Sequence, residues 1–170
     1  LMSSVKNTES SKSTESLIWA LLHTVPDPDI PVISIVDLGI VRNVEWKNEI
    51  AIITITPSYS GCPAMSVFVD DIRQVLNGAG FQSEIKTVLS PAWTTEWISQ
   101  SGLDKMKAHG IAPPEDESGM DSIFAMQKPV TCPRCNSKQT KMLNRFGSTP
   151  CKALWYCNEC SQPFEYFKCH

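Results

Sequence analysis

The sequence predicts a small α/β (α+β) domain, with a sheet of three or more strands and flanking helices, followed by a C-terminal module folded around a metal ion. Three observations carry this. Between residues 14 and 110 the apolar spacing alternates between helical and extended periods in the order α, β, β, α, β, α. Residues 111–128 hold Pro113, Pro114 and the acidic run Glu115-Asp116-Glu117, the composition of a linker. Residues 129–170 contain two C-x2-C pairs, Cys132/Cys135 and Cys157/Cys160.

Residues 1–13 are polar, with five serines and no core pattern, and are expected to be disordered. Ser13 or Thr14 can cap a helix in which Leu17, Ile18, Leu21 and Leu22 fall on one face. Pro26, Pro28 and Pro31 end it. Asp37-Leu38-Gly39 reads as a turn with a glycine at its exit. Val41–Trp46 and Glu49–Thr56 read as strands joined through Lys47-Asn48, and Pro57 stops the second. Ile50/Ile52/Thr54 and Ala51/Ile53/Ile55 put apolar residues on both faces of that strand, which argues for a central position. Pro63–Ala79 is expected to be helical. Pro63 suits its first position, Ala64, Val67, Phe68, Ile72, Val75, Leu76 and Ala79 form an apolar stripe, and Gly78 and Gly80 mark its end. Phe81–Leu89 reads as a third strand. Thr94 or Thr95 caps a weaker helix through Trp97, Ile98, Leu103 and Met106, ending at Gly110.

Composition bounds the function. The 170 residues are 42% hydrophobic and 19% charged, ordinary for a folded soluble chain. The net charge of −3 is unevenly spread: residues 1–110 carry −4, 111–128 carry −3 and 129–170 carry +4. No apolar stretch approaches the roughly 20 residues that cross a bilayer, and no secretory signal pattern is visible. Paired C-x2-C spacing in a chain with an odd number of cysteines points to a metal rather than a disulfide framework, so a cytoplasmic location is expected. There is no phosphate-binding glycine loop, no dinucleotide fingerprint and no Ser-His-Asp arrangement among His23, His109 and His170. An enzyme is not expected.

Two intervening residues let both sulfurs of a C-x2-C pair face one ion from one tight turn. Two such turns close a tetrahedral four-sulfur shell, the geometry of structural zinc; iron suits the same soft ligands. The expected zinc ligands are Cys132, Cys135, Cys157 and Cys160, with 21 residues between the pairs, as in a zinc ribbon. A closed shell leaves no position for a substrate, so its task is to fold a module too small to build its own core. Asn136 and Ser161 follow the pairs where glycine is common.

Cys62 precedes Pro63 and the predicted helix. The positive end of a helix dipole favours thiolate, which would make Cys62 a nucleophile or metal ligand with a pKa below that of a free thiol. The alternative is a small buried hydrophobe. Cys151 and Cys169 lie in the C-terminal module outside the pairs, as packing or as further soft ligands with Cys62. Asp27, Asp29 and Asp37 are candidate acid/base groups or ligands, though such aspartates more often cap helices and tighten turns. Arg134, Lys138, Lys141, Arg145 and Lys152 lie among Phe146, Trp155 and Tyr156. That mixture suits a protein-docking face or single-stranded nucleic acid, and the small total charge disfavours the latter.

Asp27-Pro28-Asp29-Ile30-Pro31, Ile35-Val36-Asp37-Leu38-Gly39-Ile40-Val41, Thr54-Ile55-Thr56-Pro57 and Gly61-Cys62-Pro63 resemble the small α/β domain of iron–sulfur assembly and targeting factors. The strings Leu89-Ser90-Pro91-Ala92-Trp93-Thr94-Thr95, Gly110-Ile111-Ala112-Pro113-Pro114, Phe146-Gly147-Ser148-Thr149, Cys151-Lys152-Ala153-Leu154 and Phe167-Lys168-Cys169 narrow the resemblance. Together they are similar to the PaaD/PaaJ family of bacterial phenylacetyl-CoA epoxidase systems. The resemblance implies an accessory maturation role in phenylacetate catabolism beside a di-iron oxygenase and its flavin and iron–sulfur reductase. It implies zinc in the ribbon, a transient iron–sulfur cluster or iron at Cys62, with Cys151 and Cys169 matching further family cysteines, and Asp29 standing where many relatives have Glu. Implied partners are the oxygenase and reductase components, with homodimerisation left open; neither a membrane nor nucleic acid is implied. A regulatory docking component that handles no metal is the alternative.

Overall fold

The computed structural model describes residues 3–59, 61–115 and 128–168. Contacts divide the chain into two units. One runs to Trp93 and takes in Trp97–Ser99; the other comprises Thr94–Glu96 and the chain from Gln100 onward.

The first unit begins with α1, Ser3–Leu22, and the tail expected to be disordered is helical from Ser3. No glycine or proline precedes Pro26, so nothing local stops the helix from extending toward the terminus. Its last turns bury Ile18 and Leu22 completely. β1 (Val41–Lys47) and β2 (Ile50–Ile55) form an antiparallel hairpin in which Lys47 pairs with Ile50. Asn48 and Glu49 both have positive φ (50° and 61°), the two-residue turn whose twist matches a hairpin. The helix α2, Met65–Gly78, then carries the chain across to β3, Gln82–Thr87, which pairs parallel with β2. Parallel strands need such a crossover. The sheet order β1-β2-β3 places β2 in the centre, as its apolar faces predict.

One face of β2 is fully buried: Ala51, Ile53 and Ile55. Phe68, Ile72 and Leu76, four residues apart on α2, are buried as well, each contributing about 1.5–3 kcal/mol by leaving water. β1 is an edge strand, and α1 attends to it. The Trp46 amide donates to the Glu15 carboxylate at 3.0 Å, and the Ser11 hydroxyl donates to the Trp46 carbonyl.

A clasp fixes the Asp37-Leu38-Gly39 turn. Gly39 has φ +73°, and a side chain there would sit 2.4 Å from the Trp97 carbonyl oxygen. The Trp93 indole donates to the Leu38 carbonyl at 3.0 Å, and the Arg42 guanidinium lies 3.4 Å over the Trp97 ring. Ser99 donates its amide to the Asp37 carbonyl and its hydroxyl to the Asp37 carboxylate. This clasp breaks the helix expected over Thr94–Gly110. Only a single 3-10 turn forms at Thr95–Trp97, because the Ser99 amide is committed to Asp37, and the helix α3 begins at Gln100 and ends at Ala108.

The second unit holds α3, then β4 (Ile111–Ala112), β5 (Thr140–Asn144), β6 (Lys152–Cys157) and β7 (Gln162–Phe167) in the sheet order β4-β7-β6-β5. Contacts thus group Gln100–Ala112 with the C-terminal sheet, whereas the sequence reading ended the first domain at 110. The reason is β4, which pairs parallel with β7 and draws α3 along with it. Of the expected linker 111–128, Ile111 and Ala112 are strand and residues 116–127 lie outside the described residues. Ala112, Val130, Ala153, Trp155 and Phe164 pack with Cys132 and Cys157 in the module's core. Among the described residues, no helix is long and apolar enough to cross a membrane.

Candidate functional site

Four sulfurs converge in the second unit. The Sγ atoms of Cys132, Cys135, Cys157 and Cys160 all lie within 4.8 Å of one another. Cys132 and Cys160 are 3.8 Å apart, Cys135 and Cys157 3.5 Å. A tetrahedral zinc with bonds of about 2.3 Å sets its sulfurs roughly 3.8 Å apart, so the cluster fits that ion. The turns are those the ion needs. Asn136 (φ 60°) and Ser161 (φ 55°) adopt the left-handed conformation just after each pair. The Asn136 amide donates to the Cys132 carbonyl at 2.9 Å, and the Cys132 amide donates to the Ser137 carbonyl at 2.9 Å. Backbone amides also aim at the sulfurs. Those of Cys160 and Glu159 donate to Cys157 and draw its thiol down to about 7. Burial, reinforced by the neighbouring thiols, pushes Cys160 up to about 12. Such a divergence is what four close thiols show when they share too few negative charges, and a dication relieves it.

Cys62 sits in the first unit, in the loop between β2 and α2. Its amide donates to the Tyr59 carbonyl at 3.2 Å and its carbonyl accepts from Met65 at 3.4 Å, so the chain is already turning when α2 begins. The helix starts at Met65, two residues later than Pro63 suggests, and Cys62 lies just before it. The sulfur is half-buried and accepts from the Ala64 amide. The expected depression of its pKa is not found. Burial pushes the thiol up, the Ala64 hydrogen bond opposes this, and the carboxylates of Asp27 and Asp29 push it further up. A helix dipole alone gives the wrong sign here, because it leaves out desolvation and two nearby anions.

The three aspartates separate. Asp27, buried, accepts from the amides of Asp29 (2.8 Å) and Ile30 (2.7 Å), and its own amide donates to the Ile33 carbonyl, which holds the proline loop in the field of Cys62. Asp29 is half-exposed in the same loop. Asp37 belongs to the clasp on Ser99. Cys151 is buried in the second unit, 3.1 Å from the Thr149 hydroxyl, and Cys169 lies outside the described residues.

Sequence reasoning missed a polar network at the end of the ribbon away from the sulfurs. Lys152, 6% exposed at its side chain, pairs with Glu165 at 3.1 Å, and buried Lys168 donates to the Arg145 carbonyl at 2.7 Å. The signal was a lysine at the margin of each of two apolar strands, Lys152-Ala153-Leu154-Trp155 and Tyr166-Phe167-Lys168.

The fold and the sites together define a two-part protein, an iron–sulfur-assembly domain joined to a zinc β-ribbon. Residues 15–87 match the family model described as iron–sulfur cluster assembly protein, and residues 117–168 match the PaaD zinc beta ribbon domain. The chain belongs to the PaaD family of 1,2-phenylacetyl-CoA epoxidase components. It is 44% identical over 153 residues to the Escherichia coli protein named for the fourth, or D, component of that epoxidase, covering 89% of this chain and 91% of the relative. It is 30% identical over 93 residues to a protein of Porphyromonas gingivalis called an Fe-S protein maturation auxiliary factor, covering 53% of this chain and 88% of that one. Among solved structures, a domain of unknown function (DUF59) from Bacillus anthracis superposes with a TM-score of 0.55 at 30% identity, covering 58% of this chain and 96% of that one.

Proposed function

We propose that this chain is a non-enzymatic maturation protein of the cytoplasm. It helps a phenylacetyl-CoA epoxidase acquire its iron–sulfur or di-iron centre, with the oxygenase and reductase components as partners. The observation that carries this is a half-exposed thiol, Cys62, flanked by the negative field of Asp27 and Asp29, in the domain that matches the iron–sulfur assembly family. At rest the thiol holds its proton. An arriving iron cation replaces that proton: the S–H bond breaks, a sulfur–iron bond forms, and the proton leaves to water. The two carboxylates that disfavour a bare thiolate favour a cation beside it. In this reading Cys132, Cys135, Cys157 and Cys160 hold zinc, which folds the ribbon and takes no part in transfer.

The test is made in cells growing on phenylacetate. Cys62→Ser should copy the gene deletion, abolishing growth while the protein stays folded and zinc-loaded. The oxygenase and reductase purified from those cells should lack iron or sulfide. Full metal content in both would sink the transfer role and favour a docking component.

A further inference from the structure

The far end of the ribbon carries an apolar, basic tip that packs against no core. Phe146 is 61% exposed and Leu143 is 52% exposed. Leu143 is the bulged residue of β5, set between Met142 and Asn144 in the pairing with β6, and β5 is an edge strand. Arg145 and Lys141 beside them are exposed.

The loop behind this tip is fastened at nearly every residue. The Phe146 amide donates to the Asn144 side chain at 3.1 Å. Lys168 donates to the Arg145 carbonyl, and its ammonium lies 4.3 Å over the Phe146 ring. The Gly147 amide donates to the Lys152 carbonyl at 2.7 Å, and the Ser148 amide to the Glu165 carboxylate at 2.6 Å. Holding two buried lysines and a carboxylate under a surface loop costs desolvation free energy. What that buys is a rigid backbone beneath an exposed aromatic ring, the pre-organised anchor on which binding energy concentrates.

Charge indicates the partner. From Lys128 to Asn158 the chain holds six cations, Lys128, Arg134, Lys138, Lys141, Arg145 and Lys152, and no acidic residue. We propose that Phe146, flanked by Leu143 and Arg145, docks this protein onto an apolar cleft with an acidic rim on the oxygenase component that it matures. This rests on the maturation reading above. Protein is favoured over single-stranded nucleic acid because stacking successive bases needs a row of exposed rings. Here Trp155, Phe164 and Phe167 are buried, and Lys168 already lies over the Phe146 ring.

Calorimetric titration of the full zinc-loaded chain into purified phenylacetyl-CoA epoxidase oxygenase tests it. Phe146→Ala should raise Kd about 30-fold. Arg145→Glu should weaken binding most at low salt, and Leu89→Ala, another exposed apolar residue, should leave it unchanged. Zinc content reports that each variant is folded. A Phe146→Ala protein that binds like wild type overturns the docking site and leaves the maturation reading standing. So does a wild type that fails to bind while Cys62→Ser still blocks iron loading. If wild type fails to bind and Cys62→Ser loads iron fully, both ideas fall. Binding of a single-stranded oligonucleotide, or self-association, that is lost with Phe146→Ala would give the tip a different occupant and overturn the proposal.

Discussion

Gly39 and Cys62 show how much a single atom can decide. At Gly39 a β-carbon has no space and the backbone is left-handed, so Gly39→Ala is expected to destabilise the first unit by more than about 2 kcal/mol in denaturant unfolding. Sequence made the turn legible through its glycine. It could not show that the obstacle is a carbonyl nearly sixty residues further on. At Cys62 the thiol is held protonated by burial and by two carboxylates. Alkylation at pH 7 should therefore be slower than that of a free cysteine, and a rate equal to or above the free thiol would contradict the structure. Asp27→Asn keeps an oxygen for the amides of Asp29 and Ile30 but removes the charge. It should speed labelling by less than about tenfold, since burial is the larger cause. The position of Cys62 ahead of a helix was readable in the sequence; the sign of its pKa shift was not, because the aspartates come from a loop more than thirty residues earlier.

Among the elements, the ribbon divides into a metal end and a lysine end, and each fails in its own way. Cys132→Ser or Cys157→Ser removes one arm of the sulfur shell and is expected to release the metal. The Trp155 signal of the ribbon should then be lost while the helix content of α1 and α2 remains by circular dichroism. At the other end, Glu165→Ala would strip buried Lys152 of its carboxylate and is expected to destabilise the ribbon by about 3 kcal/mol. Burial raises Glu165, but the Ser148 amide, the Ser148 hydroxyl and Lys152 outweigh it and hold the carboxyl below its ordinary value. Its stabilising contribution is therefore complete above the unfolded pKa and disappears as pH falls through the folded one. Glu165→Gln should flatten the acid limb of a stability–pH curve measured from pH 7 to pH 3. The sulfur pairs declare themselves in sequence because metal chemistry fixes their spacing. β4 does not: two residues, Ile111-Ala112, have no periodicity to read, and only their partner β7 makes them a strand.

Over the whole molecule, the two units rest on different physics. The first buries apolar faces of a helix-crossed sheet; the second is a four-stranded sheet whose core includes two of the clustered cysteines. Heating the zinc-loaded chain should give two calorimetric transitions, and a strong chelator should lower or erase one while leaving the other within about 2 °C. A single transition that moves as a whole with chelator would show that the units unfold together. The number of domains was legible from the change between apolar periodicity and cysteine pairs. Their boundary was not, because a pairing between β4 and β7 gathers Gln100–Ala112 into the C-terminal unit across some fifty residues of sequence. The burial of Lys152 and Lys168 also makes the ribbon report on its own state. In the loaded protein neither amine faces solvent, so an acylating reagent should mark Lys138 and Lys141 and pass over those two. Once the ion is withdrawn, all four should be modified, and peptide mass spectrometry of acylated lysines would then read metal occupancy directly in a crude extract.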